Sequence, residues 1–419
     1  MKRSGLAALW LSSLIGCSIA AAEDWPQFRG PGGQGISAST HVPTQWSTGS
    51  NIAWKIDIPG QGWSSPVLAD GRVYLTTAIG SANGSTTLAV LCIDASDGKL
   101  IWNTEVLKPD PAAVRQMHSK NSPASPTPII AGDRIFAHFG HLGTVALDLA
   151  GHIVWKQTTL HYAPQHGNGG SPVLLDGSLI FGCDGSKDPF MVALDAKTGA
   201  IKWKQPRTNV DVRNSFSFAT PLVITIDGQK QLIDPASGYV GAYDPVNGQE
   251  IWRVRYGQGY SVVPRPVFAE GLIFLSSGFD TPVLYAINPD GAAGDVTDTH
   301  VAWKSRRGAP CTPSPLVVGH ELYFISDNGI LICADARTGK TYYSHRLDGT
   351  FSASPLLAEG RIYFQSEDGV GYVVKAGTTF EQIGENDLGE RSLASDAVTD
   401  GALFIRTANH LWRIGSPVK

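Results

Sequence analysis

Charge is scarce in this chain. Only 17% of its 419 residues are Asp, Glu, Lys or Arg, and the formal net charge is −4. That leaves no polyelectrolyte footprint, so nucleic acid is excluded as an expected partner. Cysteine is also rare: there are five, no two adjacent, and no C-x-x-C-H run that would carry haem. Cys92 and Cys333 fall in sequence units far apart from each other, so no disulfide framework is indicated. The sequence has no G-x-S-x-G, no H-E-x-x-H, no phosphate-binding P-loop and no recognisable triad. Motif support for an esterase, a zinc protease or a nucleotide hydrolase is therefore missing.

What the chain has in quantity is glycine, 47 residues, and tryptophan, 11 residues, as befits a turn-rich all-β protein. These residues recur in order. A unit reading S-P-x-x, then x-G and an apolar run, then A-x-D-x-x-T-G-x-x-x-W returns roughly every 40 to 60 residues from Ser64 onward. Its second half is clearest at Ala193, Asp195, Thr198, Gly199 and Trp203, with further copies at Asp94, Gly98, Trp102, at Asp244, Gly248, Trp252, and at Asp335, Gly339, Tyr343. Pro66, Pro126, Pro172, Pro221, Pro266, Pro315 and Pro355 open seven units, and Asp396 stands where an eighth proline would.

Short β-branched and aromatic runs such as Arg361 to Gln365, bounded by Gly, Asp and Asn, read as strands. One such sheet cannot bury its faces alone and must stack on its neighbours. The eighth unit ends at Leu411 to Ile414 without a Trp-bearing strand of its own, whereas Asn51 to Lys55 supplies such a strand without a unit. The expected fold is therefore an all-β, eight-bladed β-propeller over residues 51–419, closed by residues 51 to 56 pairing in the last blade. In each unit the Gly suits a positive-φ turn and the Trp packs between blades, while Cys92 and Cys333 take a buried small-residue slot.

Residues 1–22 read as a secretory signal: basic Met1-Lys2-Arg3, an apolar stretch from Leu6 to Ile15, and Ala20-Ala21-Ala22 before Glu23. Leu14-Ile15-Gly16-Cys17 also resembles a lipobox, which would make Cys17 a lipidated first residue. Either route places the protein outside the cytoplasm, in the periplasm or beyond, and a membrane enters only through a lipid on Cys17. Residues 23–50 form an N-terminal strap in which Trp25 and Phe28 cover apolar surface beneath the ring.

The repeated A-x-D-x-x-T-G-x-x-x-W unit resembles the tryptophan-docking motif of quinoprotein alcohol dehydrogenase-like propellers, the PQQ-like repeats, over residues 51 to 414. Asp24 to Gly35 is similar to the leader of secreted bacterial PQQ-binding-like propellers. The resemblance implies either PQQ with calcium and oxidation of alcohols or sugars, or a non-catalytic role like that of the outer-membrane assembly lipoprotein BamB. The dehydrogenases commonly carry vicinal cysteines against the quinone; here none are adjacent, and no Asp base and no Glu/Asn calcium pair can be matched by motif. A binding or scaffolding role in the cell envelope, as a monomer, is the expectation.

Function is expected where the units diverge. From Trp-equivalent to next proline the spacing is 12 residues after Trp54, Trp303 and Tyr343, but 24 after Trp102, 17 after Trp155 and 18 after Trp203. Propeller topology sends these loops to the same face as the second loops of blades two and three. Six of the 11 histidines lie between His118 and His166. The candidate ligand-binding residues are His118, Lys120, Asn121, His138, His141, His166, Asn168, Asp184, Lys187, Asp188 and Arg213. Three readings stand: loop residues satisfying one another, a ligand site, and a metal site of His118, His138, His141 and His166. Lys120, Arg213, Arg265, Arg306, Arg307 and Arg391 all precede an inner strand, and several of them ringing one mouth would favour a small anionic or polyhydroxylated ligand; an envelope protein is the other partner class.

Overall fold

The computed structural model describes residues 23–82, 84–115, 117–207 and 214–416. Residues 1–22, with Cys17, and the candidate Arg213 lie outside the described residues. Eight sheets follow one another, each built on a four-stranded antiparallel meander running from an inner to an outer strand, two of them carrying a fifth, parallel strand. Blade one is typical: Val67–Ala69, Arg72–Gly80, Thr86–Asp94 and Leu100–Leu107. The eighth blade takes three strands from the end of the chain, Ala397–Thr399, Ala402–Arg406 and His410–Ile414, and its outer strand from the beginning, Ile52–Asp57. Lys55 is registered opposite Trp412 and Ile56 opposite Leu411. The expected closure is thus present, and the ring has no unpaired seam.

The repeated Gly and Trp meet across the seams. Gly199 holds φ 73°, and a Cβ added there would stand 2.6 Å from the Trp155 ring of the preceding blade, so the turn and the close approach both require glycine. The Trp155 indole N–H donates to Ala196 O at 3.0 Å. Trp54, Trp102, Trp203 and Trp303 make the same bond to Ala95, Leu149, Pro245 and Ala336. Trp252 departs from the pattern. Its N–H turns to Gln231 Oε1 at 2.9 Å within its own blade, whose outer edge is covered by the parallel segment Gly294–Asp295.

One register expectation is corrected. In blade two the inner strand is Ile129–Ala131, with Ile129 opposite Phe136 as Val67 is opposite Tyr74 in blade one. The proline aligned with Pro66 is therefore Pro128 and not Pro126; two prolines two residues apart make the sequence pattern ambiguous, and pairing resolves it.

The strap runs under the ring. Trp25 is fully buried and exchanges backbone hydrogen bonds with Leu68 at 2.9 and 2.8 Å. Pro26 O accepts from Ile130 N, Gln34 Oε1 from Phe268 N and Gly35 O from Leu357 N, which ties the segment to blades one, two, five and seven. Ile36–Ser37 then adds parallel to the inner strand of blade seven. The lower end of the central channel is crossed by chain.

Candidate functional site

Above the strap the channel widens into a cavity of about 590 Å³. Phe28 forms part of its lining from the strap side. On one side stand Phe216, Phe218, Tyr260 and Phe279, linked edge to face or tilted with ring centroids 5.7 to 6.0 Å apart, and His166 continues the series 5.5 Å from Phe216. The other side is polar. Asp327 accepts from Cys311 N, Thr312 N and Thr312 Oγ1 at 2.6 to 3.3 Å. Lys120, on the long loop after blade one, donates to Glu367 of blade seven at 2.6 Å, and Ser352 Oγ donates to the same carboxylate oxygen. Trp63 completes the rim with the Arg391 guanidinium 5.8 Å from its ring.

Deeper in, the residues at the position before the aligned proline of seven blades, Asp396 standing for it in the eighth, form a ring of hydroxyls that Arg265 interrupts at blade five. Ser65 N donates to Thr127 Oγ1, Thr127 N to Ser171 Oγ, and Ser171 N to Thr220 Oγ1. From blade five the series resumes, with Arg265 N to Ser314 Oγ, Ser314 N to Ser354 Oγ and Ser354 N to Ser395 Oγ. All six bonds are 2.8 to 3.0 Å, and each stitches one blade to the next at the axis. A Ser or Thr precedes the aligned proline in six blades and Ser395 precedes Asp396 in the eighth, while blade five has Arg265; the convergence of these hydroxyls requires the closed ring.

The structure divides the candidate residues. His118, Lys120, Asn121 and His166 line the cavity. His118 and His166 pack edge to face at 5.6 Å, and Asn121 Nδ2 donates to His166 O at 2.8 Å. The others are engaged elsewhere or lie outside the lining. His138 is buried, shares a 2.8 Å hydrogen bond with Thr144 Oγ1 and packs 4.2 Å from Phe181; burial pushes its imidazole down to about 3, so it stays neutral. His141 Nε2 meets Ala113 O at 3.1 Å. Asn168 accepts from the Tyr162 hydroxyl at 3.3 Å. Asp184 is buried against Arg207, whose Nη2 donates to it at 2.9 Å and also to Asp234; with two carboxylates sharing one guanidinium out of water, burial raises Asp184 to about 7. Lys187 and Asp188 are exposed on the turn before Phe190 and do not border the cavity. Arg306 and Arg307 are exposed and also lie off the lining.

Two expectations are corrected by these positions. Arg265 does not reach the mouth: its side chain runs down the axis, Nε donating to Pro221 O at 3.1 Å and Nη1 to Phe28 O at 2.8 Å. The four histidines do not form one metal site, and among the described residues no three His, Cys, Asp or Glu side chains are placed to hold an ion. Nor do the cavity residues fit a calcium-held quinone. Calcium takes six to eight oxygen ligands, whereas Asp327 is the one carboxylate on the lining and both its oxygens are engaged by Cys311 and Thr312. Cys311 is the cysteine on the lining, its thiol pushed up to about 12 by burial with Asp327 nearby. Reasoning from sequence missed Trp63, the aromatic wall, Asp327 and Glu367; the last two sit in short loops of regular length, which nothing in the spacing singles out.

Comparison with known proteins agrees with this architecture. The chain is 28% identical over 302 residues to the dehydrogenase subunit of a quinone alcohol dehydrogenase from Gluconacetobacter polyoxogenes, covering 66% of this chain and 36% of that one. It is 24% identical over 205 residues to the outer membrane protein assembly factor BamB of Legionella pneumophila (strain Paris), covering 48% and 49%. The first curated relatives are matched over only 21% and 49% of their own length. The crystal structure of BamB from Moraxella catarrhalis superposes with a TM-score of 0.59 over 86% of this chain and 96% of that one, at 14% identity, a likeness of fold alone. The family model described as "Outer membrane protein assembly factor BamB" matches residues 44–238 and 292–410, and the chain belongs to that family of PQQ-like β-propellers.

Proposed function

We propose that this protein is a binding module of the cell envelope that holds a small ligand in the cavity at the upper mouth of its channel. The observation that carries the reading is the cavity itself. It is bounded below by the strap, faced on one side by aromatic rings and on the other by Lys120, Asp327, Thr312 and Ser352. Aromatic faces take up the flat or C–H surface of a ring, and the polar arc orients it. His118 and His166 stand at the rim, where they meet a ligand without being part of the packed core. Placement in the envelope rests on the leader-like residues 1–22 and on the kinship with BamB. That kinship also supports a second reading, docking of a partner protein, and the quinoprotein relatives support a third, PQQ-dependent oxidation.

One preparation tests all three. Native mass spectrometry of protein purified from the envelope is expected to show a retained small molecule, lost when His118 and His166 are both replaced by alanine with the fold intact. Titration with PQQ and Ca²⁺, followed by quinone absorbance and dye reduction, is expected to show no turnover; stoichiometric binding with alcohol-dependent reduction would overturn the binding-module reading in favour of the enzyme. The mass of the mature N-terminus decides the anchor. A lipidated Cys17 supports partner docking at the membrane, and a free Glu23 removes it.

A further inference from the structure

The hydroxyl ring at the base of the cavity has a fixed polarity. Each Oγ that accepts the neighbouring blade's amide has one lone pair engaged toward the wall, and Ser314 Oγ has both, the second taken by Ser354 Oγ. Among the described residues no protein acceptor takes the protons of Thr127, Ser171, Thr220, Ser314 and Ser395. All five are buried and all five line the cavity, so their O–H groups are available to what lies on the axis. Ser354 alone uses its proton within the ring, donating to Ser314.

Two buried guanidiniums, Arg29 of the strap and Arg265 before blade five, reach the carbonyls one residue past the ring hydroxyls. Arg29 Nη2 donates to Pro315 O at 2.8 Å and to Gln34 O at 2.9 Å, and Arg265 donates to Pro221 O and Phe28 O. Arg406 is buried at the seam of blades eight and one, donating to Ser64 and Thr76. No carboxylate stands within ion-pair distance of any of the three among the described residues. Arg29 also keeps Nε and Nη1 without a partner. Burial and the neighbouring Arg265 hold Arg29 down to about 9, the mark of a cation without a counter-charge. The carboxylate on the lining, Asp327, sits in a loop toward the upper rim with both oxygens taken by protein donors, and Glu367 behind Lys120 and Ser352 has its Oε1 engaged by both. The channel therefore has a donor-rich, positive floor under a mixed aromatic and polar mouth. Water can fill the ring of donors, but it does not balance the charge beneath it.

We infer that the ligand is a ring-bearing carboxylic acid held head down, its carboxylate among the hydroxyls of Thr127, Ser171, Thr220, Ser314 and Ser395 and its ring against Phe216, Phe218 and Tyr260. This deepens the binding-module reading and rests on it. An aromatic acid and a sugar acid share the chemistry that the floor recognises, and the flat and the chair-shaped ring are told apart only by the wall.

Isothermal titration of the mature protein with benzoate and with D-glucuronate, each paired with its neutral counterpart benzyl alcohol or D-glucose, tests the inference. At least one acid is expected to bind about tenfold or more tighter than its neutral partner, as charge-assisted hydrogen bonds require. Which acid binds identifies the ring class. Thr220→Val, which removes one hydroxyl at constant shape, is expected to weaken the acid several-fold and the neutral partner less, and Thr220→Ser is expected to restore the difference. Equal binding of acid and neutral partner would overturn the inference while leaving the cavity-binding reading standing. Failure of both acids to bind up to about 10 mM, less than about 3 kcal/mol of binding free energy, would overturn it as well; a small molecule still retained in native mass spectrometry would then show that the cavity binds another chemistry. If Thr220→Val proves unstable, Ser395→Ala makes the same measurement on the opposite side of the ring.

Discussion

Asp396 stands at the point of the eighth blade where every other blade has a proline. It is buried, Oδ1 finds no partner, and desolvation alone raises its carboxyl to about 8. An unfolded chain releases this proton near pH 4, so between about pH 4 and pH 8 the folded state binds the extra proton. The sign follows: stability falls as pH rises through that window. Asp396→Asn removes the titration and keeps the shape. Urea unfolding at pH 5 and pH 8.5 is expected to show wild type losing roughly 2 kcal/mol or more beyond what the variant loses. Equal losses would place the carboxylate in contact with water. Gly199 gives a second test at this scale. Its φ of 73° and the Trp155 ring 2.6 Å from an added Cβ make Gly199→Ala costly on both counts, by about 2 kcal/mol or more in chemical denaturation. An isolated turn requirement would cost nearer 1 kcal/mol.

Between residue and ring, the elements show what a sequence discloses and what it withholds. The blades were legible because periodicity follows from burial: Ala193, Asp195, Gly199 and Trp203 repeat since every blade must present the same face to the next. The clustering of His118, Lys120, Asn121 and His166 was legible too, because long loops after blades one and two go to one face. The roles of His138 and Asp184 were not, since a polar residue near a loop reads the same whether it faces solvent or turns inward to Thr144 or Arg207. Arg265 was misplaced for a related reason: position before an inner strand fixes the backbone, not whether a long side chain runs up or down the axis. The strap was legible in outline through Trp25 and Phe28. Its energetic weight is open to measurement. Trp25→Ala leaves a cavity under blade one and is expected to cost about 3–5 kcal/mol in thermal or urea unfolding. A cost below about 1 kcal/mol would show that the strap rests on the ring without holding it.

At the scale of the whole molecule, stability and site depend on the same closure. A ring gives each blade two neighbours, and the six axial bonds from backbone amide to hydroxyl, like the Trp contacts at the rim, exist only where a next blade is present. Ile52–Asp57 is the strand that makes the first and last blades neighbours: it completes blade eight against His410–Ile414, and its Trp54 donates to Ala95 of blade one at 3.1 Å. Removing it leaves His410–Ile414 as an unpaired edge and uncovers the blade-one side of that seam, while the other seams keep their own contacts. Two truncations separate closure from strap: a chain starting at residue 50 loses only the strap, and one starting at residue 60 loses the closing strand as well. The second is expected to melt at least about 10 °C below the first and to aggregate through its free edge. A synthetic peptide of residues 50–59 added in trans is expected to raise that melting point in a concentration-dependent way, because an intermolecular strand replaces a covalently tethered one by mass action. Equal melting points for the two truncations would mean that the contacts between blades one and eight hold the ring without the strand. Recovery by the peptide would instead locate the closure in those few backbone pairings and in the docking of Trp54.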